Sequence, residues 1–181
     1  MTHVGARNAM SQVIEVPVPI ACNLRHALKA VHFCDAFQAP VSNPELGAQD
    51  VYRAVFACVP AWARVLFKMR GMIASLLGLR HSADAGFEVA PDASFQIGQR
   101  VGMFPIRSIE ADELIVGDND KHLDFRLSIF RSRVNGVEMA TVSTAVEIHN
   151  TVGKIYMVVI KPFHRCITSA MIQRAVNAGR L

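Results

Sequence analysis

The second half of the chain constrains the fold most, because short strand-like segments follow one another there with turns between them. Apolar and polar residues alternate through KHLDFRLSIF at 121–130 and VEMATVSTAVEIH at 137–149, which is the period of a half-buried strand. Between them lies Asn135-Gly136, a strong signal for a two-residue hairpin. Because short connections place neighbouring strands antiparallel, the sequence predicts an antiparallel meander of four or five strands.

The individual strands follow from the positions of the turn residues. The meander is predicted to use 101–107, 113–118, 121–133, 137–149 and 153–161. Turn-forming residues, among them Gly117 and Asn150, separate these segments. A further strand is predicted over 12–20, and Pro17 and Pro19 confine it to the edge of a sheet because proline cannot donate a ladder hydrogen bond.

The first half of the chain is predicted to be mainly helical. Its three predicted helices cover 23–37, 44–59 and 60–77. The second of them has an N-cap candidate in Ser42 or Asn43, with proline in its first turn. Gly78 is a plausible end for the third helix, and 80–97 is predicted to be a loop because it lacks periodicity.

A long final helix is predicted over 162–178, with Phe163, Ile167 and Met171 on one apolar face. That face needs an apolar partner, and the sheet supplies one. The sequence therefore predicts an α+β fold with an antiparallel sheet. The 181 residues fit a single domain over 1–181, with its core at about 12–178, since no repeat or linker divides the chain.

Composition and charge exclude several classes of function. Hydrophobic residues make up 51% of the chain and charged residues 19%, which indicates a large core, a buried oligomer surface or an apolar ligand cavity. The net charge of +4 arises without a dense basic run, so no nucleic-acid partner is expected. The N-terminus lacks a secretory signal, and the longest apolar run, 54–63, is about half of a membrane span. We therefore expect a soluble, cytoplasmic protein with no membrane association.

The four cysteines give no metal or redox signature. Cys22, Cys34, Cys58 and Cys166 form no CxxC pair, and none has a histidine at metal-ligand spacing. They are predicted to be reduced, buried thiols. No nucleotide-binding or phosphate-binding glycine motif is present either, so the sequence predicts neither a cofactor nor a metal.

Polar residues on the predicted strands are the candidates for chemistry. Alternation places His122, Asp124 and Arg126 on one face of their strand, and the next strand places Glu147 and His149 on the matching face. A carboxylate beside a histidine can orient it as a general base. Glu147 or His149 is expected to pair with Arg126 or His122 across the hairpin. The alternative is a solvated face carrying ion pairs of little energetic value.

A second polar group is predicted where the last strand meets the final helix, at the corner KPFHR. There Lys161 and His164 are placed to meet an anionic group of a ligand at a helix N-terminus. The alternative is that His164 is an exposed residue of the first helical turn. Together with the strand residues, this makes His122, Asp124 and His164 the candidate catalytic groups.

Four stretches resemble a bacterial protein family of unknown function, DUF 2867. They are GMFPI at 102–106, GDNDKHLDFRLSIF at 117–130, TAVEIHNTVGKIYMVVIKPFHR at 144–165, and the segment 62–79. The order of elements is also similar to the START-like, or Bet v 1-like, helix-grip architecture. This resemblance implies a curved antiparallel sheet that grips the C-terminal helix, with a ligand cavity between them. It implies small-molecule handling but no particular catalytic residues.

Three functions compete on this basis. The first is binding of a small apolar ligand between the sheet and the final helix. Its predicted lining is Phe125, Leu127, Val146, Ile148, Met157, Phe163, Ile167 and Met171. The second is a metal-free acid–base enzyme acting on a small apolar or cyclic metabolite. The third is a non-catalytic homodimer that pairs through a sheet face or the helix at 60–77.

Overall fold

The computed structural model describes residues 12–76, 89–90 and 93–181, and an antiparallel sheet is its largest feature. The strands are β1 (Ile14–Glu15), β2 (Phe33–Pro40), β3 (Arg100–Val101), β4 (Phe104–Ile109), β5 (Glu113–Asn119), β6 (Leu123–Val134) and β7 (Val137–Ile148). The helices are a 3₁₀ helix (Asn23–His26), α1 (Ala48–Phe56), α2 (Ala61–Leu76) and α3 (Thr151–Asn177). The strand order is β1-β2-β7-β6-β5-β4-β3, so β2 crosses to the far side of the meander and pairs with its last strand. The predicted α+β class is confirmed.

The central hairpin is the predicted one. β6 and β7 pair from Leu123↔Ile148 down to Val134↔Val137, and only two residues connect them. Both of these residues are in the left-handed region, with φ of 50° at Asn135 and 81° at Gly136. Asparagine and glycine tolerate this conformation, and its twist matches that of the two strands.

The predicted strand at 101–107 is divided in two. β3 ends at Val101 and β4 begins at Phe104, so these two short strands pair with each other around a tight turn. Gly102 makes that turn possible because its φ is 61°. The prediction treated GMFPI as one extended segment and missed this turn.

The predicted helix at 23–37 is wrong beyond its first turn. Only Asn23–His26 is helical, and the segment Phe33–Pro40 is strand β2. β2 pairs with β7 on one side and with the short β1 on the other. Alternation of Phe33, Asp35 and Phe37 on one face was the available signal, but hydrogen bonding to distant β7 decides the conformation.

The predicted strand at 153–161 is also wrong, because these residues form the first third of α3. The helix begins after Asn150, whose side chain accepts a hydrogen bond from the Gly153 backbone N–H at 3.2 Å. It continues through Pro162 to Asn177. The run KIYMVVI is rich in β-branched residues, which favours a strand locally, yet packing of Tyr156 and Ile167 on the sheet favours the helix.

Two boundaries near the N-terminus differ from the prediction. The strand expected over 12–20 is reduced to Ile14–Glu15, although it does lie at the sheet edge. The first helix begins after Gly47 rather than after Ser42 or Asn43. Asn43 instead stabilises a turn by accepting a hydrogen bond from the Glu45 backbone N–H at 3.0 Å.

Helices α1 and α3 cover one face of the sheet and enclose the main core. Tyr52 and Ile172 from these helices are almost fully buried against Ile129 and Val142 of the central strands. The opposite face is covered at one end by the 3₁₀ helix, where Leu24 packs against Ala145. The alternating faces predicted for β6 and β7 are confirmed, since the apolar set lies on the side of α3. Within the described part of the chain, no helix combines the length and the apolar character needed to cross a membrane.

Several predictions concern residues that the structure does not describe. Outside the described ranges lie the expected helix end at Gly78, most of the loop predicted over 80–97 and the N-terminal ten residues.

The side chain of Trp62, which was predicted to lie on the buried stripe of α2, is 44% exposed. Val65 and Met72 of the same helix are exposed too, and the homodimer through this helix stays a prediction.

Candidate functional site

A cavity of about 140 Å³ lies between the sheet and α3. Strands β2, β4, β6 and β7 form its floor, and helices α1 and α3 form its other walls. Most of the lining atoms are apolar. Val159 and Phe163 belong to the lining and are also 39% and 42% exposed, so the cavity wall reaches the protein surface beside them.

Most of the residues predicted to contact a ligand line this cavity. They are Phe125, Leu127, Val146, Met157, Phe163, Ile167 and Met171. Ile148 is the exception, because it lies at the end of β7 beside Gly153 at the start of α3. Whether these residues bind a ligand stays a prediction.

Four aromatic residues that the sequence did not indicate also line the cavity, and one of them is Phe56 of α1. Phe104 packs edge-on against Phe125, with 5.1 Å between the ring centroids. Phe33 and Tyr156 lie on β2 and α3, in segments whose secondary structure was predicted wrongly. A correct assignment of those two segments would have placed both rings toward the sheet–helix interface.

One wall of the cavity is polar. His164 and Thr144 both line the cavity, and His164 Nε2 lies 3.1 Å from Thr144 Oγ1. The same Nε2 atom lies 3.5 Å from Asp35 Oδ1. Asp35 is directly opposite Thr144 in the β2–β7 ladder, which brings the three side chains together. We call Asp35, Thr144 and His164 the polar triad.

The Asp35 carboxylate is unusual because it is buried without hydrogen bonds. Its side chain is 2% exposed. Neither oxygen accepts a hydrogen bond from any residue that the structure describes. A buried polar group in this state costs free energy and calls for an explanation. Sequence analysis missed Asp35 because it placed the residue within a helix.

The corner predicted at KPFHR does not exist, because Lys161 and His164 lie in the middle of α3. Lys161 Nζ lies over the ring of Phe33, 5.1 Å from its centroid. His164 points toward the sheet rather than to solvent as a residue of a first helical turn would. The predicted anion site at a helix N-terminus is therefore wrong, because that terminus lies at Asn150.

The other predicted polar cluster lies away from the cavity, and its pairing differs from the prediction. His149 Nε2 contacts Asp124 Oδ1 at 3.2 Å, whereas Glu147 accepts a hydrogen bond from the Lys29 backbone N–H at 3.0 Å. Arg126 donates to Asn119 Oδ1 at 2.7 Å, and burial lowers its pKa. These contacts resemble the alternative considered from the sequence, which is a sheet face that carries ion pairs.

His122 supports the start of α3 rather than the cavity. Its Nδ1 lies 3.0 Å from Asn150 Oδ1, the same oxygen that caps the helix. The Asn150 amide in turn donates to the Lys121 carbonyl at 3.0 Å. His164 is therefore the one member of the predicted catalytic set, His122, Asp124 and His164, that lines the cavity.

A second buried carboxylate, Glu113, lies on the opposite face of the sheet and is fully hydrogen-bonded. Its Oε1 accepts hydrogen bonds from the Cys22 thiol at 2.8 Å and the Ser128 hydroxyl at 2.5 Å. Its Oε2 accepts a hydrogen bond from the Asn23 backbone N–H at 2.8 Å. Burial, followed by the hydrogen bond to Glu113, raises the pKa of the Cys22 thiol to about 11. Cys22 is therefore a protonated donor at neutral pH and not a nucleophile.

The cysteines are all free, but the prediction that all four are buried is wrong. Cys22 is buried and Cys58 half-buried, whereas Cys34 and Cys166 are exposed. Cys34 lies near the start of β2, on the face opposite to the one that carries Asp35. Among the described residues, no three histidine, cysteine, aspartate or glutamate side chains are grouped so as to hold a metal ion.

Comparison with known proteins identifies one matching family. The sequence model of a family described as "Protein of unknown function (DUF2867)" matches residues 27–171, which is most of the chain. No curated protein matches the chain. The matched range includes the cavity walls and all three residues of the polar triad.

Proposed function

This chain belongs to the DUF2867 family, whose function is unknown, and we propose that it binds a small apolar molecule between its sheet and its C-terminal helix. The observation that carries the proposal is the cavity of about 140 Å³ with its mostly apolar lining. Close-packed cores leave few voids larger than a water molecule, so a space of this size is not ordinary packing. An engineered cavity of about 150 Å³ in another protein stays dry and binds benzene.

The overall architecture supports the same proposal. We infer that the fold is of the helix-grip type, because an antiparallel sheet, a C-terminal helix laid across it and a cavity between them are its defining parts. Small-molecule sites are typically concave and mostly apolar with a few polar groups, as this cavity is. The long α3 contributes the lining from Tyr156 to Met171, so a single element spans the cavity.

A cavity-filling variant tests the proposal. Benzene at ten times its dissociation constant is expected to stabilise the native protein by about 1.4 kcal/mol, because it binds the folded state alone. Val146 is 4% exposed and lines the cavity. In Val146→Phe, the phenylalanine ring is larger than the valine side chain and occupies the space that benzene needs. We expect benzene to raise the urea midpoint of the wild type and to leave that of Val146→Phe unchanged.

The matched control is Val134→Phe. Val134 ends β6, is 43% exposed and does not line the cavity, so this variant should respond to benzene like the wild type. Equal stabilisation of wild type and Val146→Phe would show that benzene binds elsewhere. No stabilisation of the wild type at benzene saturation would show that the cavity does not accept an apolar molecule.

A second candidate function is acid–base catalysis on the bound molecule. The observation that favours it is that His164 lines the cavity and lies beside the Asp35 carboxylate. A histidine next to a carboxylate is a common general base. Native mass spectrometry of the protein purified from its own host would identify a retained molecule. Its chemical conversion during incubation with wild type, but not with His164→Gln, would favour the enzyme over a binding protein.

A further inference from the structure

We propose that the polar triad binds a hydroxyl group, so that the ligand is an apolar alcohol or phenol rather than a hydrocarbon. This inference rests on the proposed function and adds the chemical class of the ligand. Thr144 and His164, together with Thr168 one turn farther along α3, interrupt the apolar lining. Asp35 lies directly behind them, 3.5 Å from His164 Nε2 and opposite Thr144 on the neighbouring strand.

The hydrogen-bond donors and acceptors of the triad indicate which kind of ligand group it can bind. In the tautomer with its proton on Nε2, His164 donates to Thr144 Oγ1, and Thr144 then keeps a hydroxyl proton to donate to a ligand. Asp35 does not itself line the cavity, and both of its buried oxygens lack a donor from the described chain. A ligand hydroxyl fits this inventory because it can accept the Thr144 proton at the cavity wall, while Asp35 contacts His164 from behind.

The position of Asp35 behind the cavity wall favours a neutral hydroxyl over an ammonium group. Arg165, the next residue on α3, pairs with Glu15, and its pKa is raised by Glu15 and also by the charge of Asp35. Lys161 lies over Phe33, at the same wall of the cavity. An ammonium group in the cavity would therefore meet Thr144 and His164 rather than the carboxylate, and Lys161 and Arg165 already place positive charge near Asp35.

A pair of nearly isosteric probes tests the proposal. Phenol and toluene differ by a hydroxyl in place of a methyl group, and both are close to benzene in size. Their association constants with the native protein are measured by titration calorimetry at pH 7, and the phenol-to-toluene ratio is compared between variants. We expect Asp35→Asn to lower this ratio about tenfold, because the charged group that holds His164 beside Thr144 is replaced by a neutral amide.

Further variants separate recognition from a structural role. Asp35→Asn should also raise the urea midpoint, because it removes an unpaired buried charge, whereas a residue needed for the fold would lower it. Thr144→Val should lower the ratio in the same direction. Ser143→Ala is the matched control. Ser143 immediately precedes Thr144 in β7, is buried and faces the other side of the sheet.

The outcomes distinguish failure of the hydroxyl site from failure of apolar binding. A ratio that is equal in wild type and Asp35→Asn overturns the hydroxyl site but leaves apolar binding intact, provided that toluene binds. Absence of binding by both probes to the wild type overturns the hydroxyl site together with the proposed function. A ratio that falls in Asp35→Asn and Thr144→Val, but not in Ser143→Ala, supports the assignment.

Discussion

Replacing Gly153 with alanine is expected to destabilise the protein by about 2–4 kcal/mol, because the start of α3 lies directly against the backbone of the residue that precedes β6. A Cβ atom at this position would lie 2.3 Å from the His122 carbonyl oxygen and 3.0 Å from Ile148 Cγ2. The first neighbour is backbone and cannot turn away. Alanine is a better helix former than glycine by about 1 kcal/mol, so the clash has to exceed this gain.

Urea unfolding of Gly153→Ala, with Gly47→Ala as the control, measures this effect. Gly47 immediately precedes α1, whereas Gly153 lies in the first turn of α3, and a Cβ at Gly47 would meet Asp50 Oδ2 at an ordinary 3.6 Å. We expect the control to lie within about 1 kcal/mol of the wild type. If Gly153→Ala is as stable as Gly47→Ala, then α3 is not docked on the sheet at this point, and the cavity beneath the helix would lose its closed end.

Replacing Glu113 with alanine is expected to cost about 3–5 kcal/mol, because three hydrogen-bond donors lose their acceptor in a buried site. The donors are the Cys22 thiol, the Ser128 hydroxyl and the Asn23 backbone N–H, at 2.5 to 2.8 Å. Glu113 itself is 2% exposed. The 3₁₀ helix that starts at Asn23 should detach from the sheet, since its first backbone amide is held by this carboxylate.

Glu110→Ala is the matched control for this second variant. Glu110 lies in the turn before β5 and is exposed, so its removal should change stability by no more than about 0.5 kcal/mol. Chemical modification provides a second readout. Cys22 should be unreactive toward iodoacetamide in the wild type and become reactive in Glu113→Ala, because the thiol is uncovered. A protected Cys22 in a stable Glu113→Ala protein would contradict this account of the site.

The sequence predicted the parts of the fold that depend on local pattern. The alternation through β6 and β7 and the Asn135-Gly136 turn are local features, and they correctly place Phe125 and Val146 on the side of the helix. The fold class and the apolar nature of the cavity follow from them. The family resemblance through residues 117–130 and 144–165 also holds, since the family match covers both stretches.

The parts that failed depend on contacts between distant residues. β2 was read as helix because its partner β7 lies more than a hundred residues away in sequence. The first third of α3 was read as strand because Val158, Val159 and Ile160 favour strands locally, whereas the helix is held by packing on the sheet and by the Asn150 cap. The polar triad joins Asp35 of the wrongly predicted β2 to Thr144 and His164, which lie in a correctly predicted strand and helix, so no local pattern could have brought Asp35 to His164.

Crystals of the native protein pressurised with xenon test the central claim most directly, because xenon binds apolar cavities of this size. The account predicts a xenon site between β6, β7 and α3, in contact with Leu127, Val146 and Met171. The contradicting result is a sheet–helix interface in which side chains fill this space at normal core density and no xenon binds there.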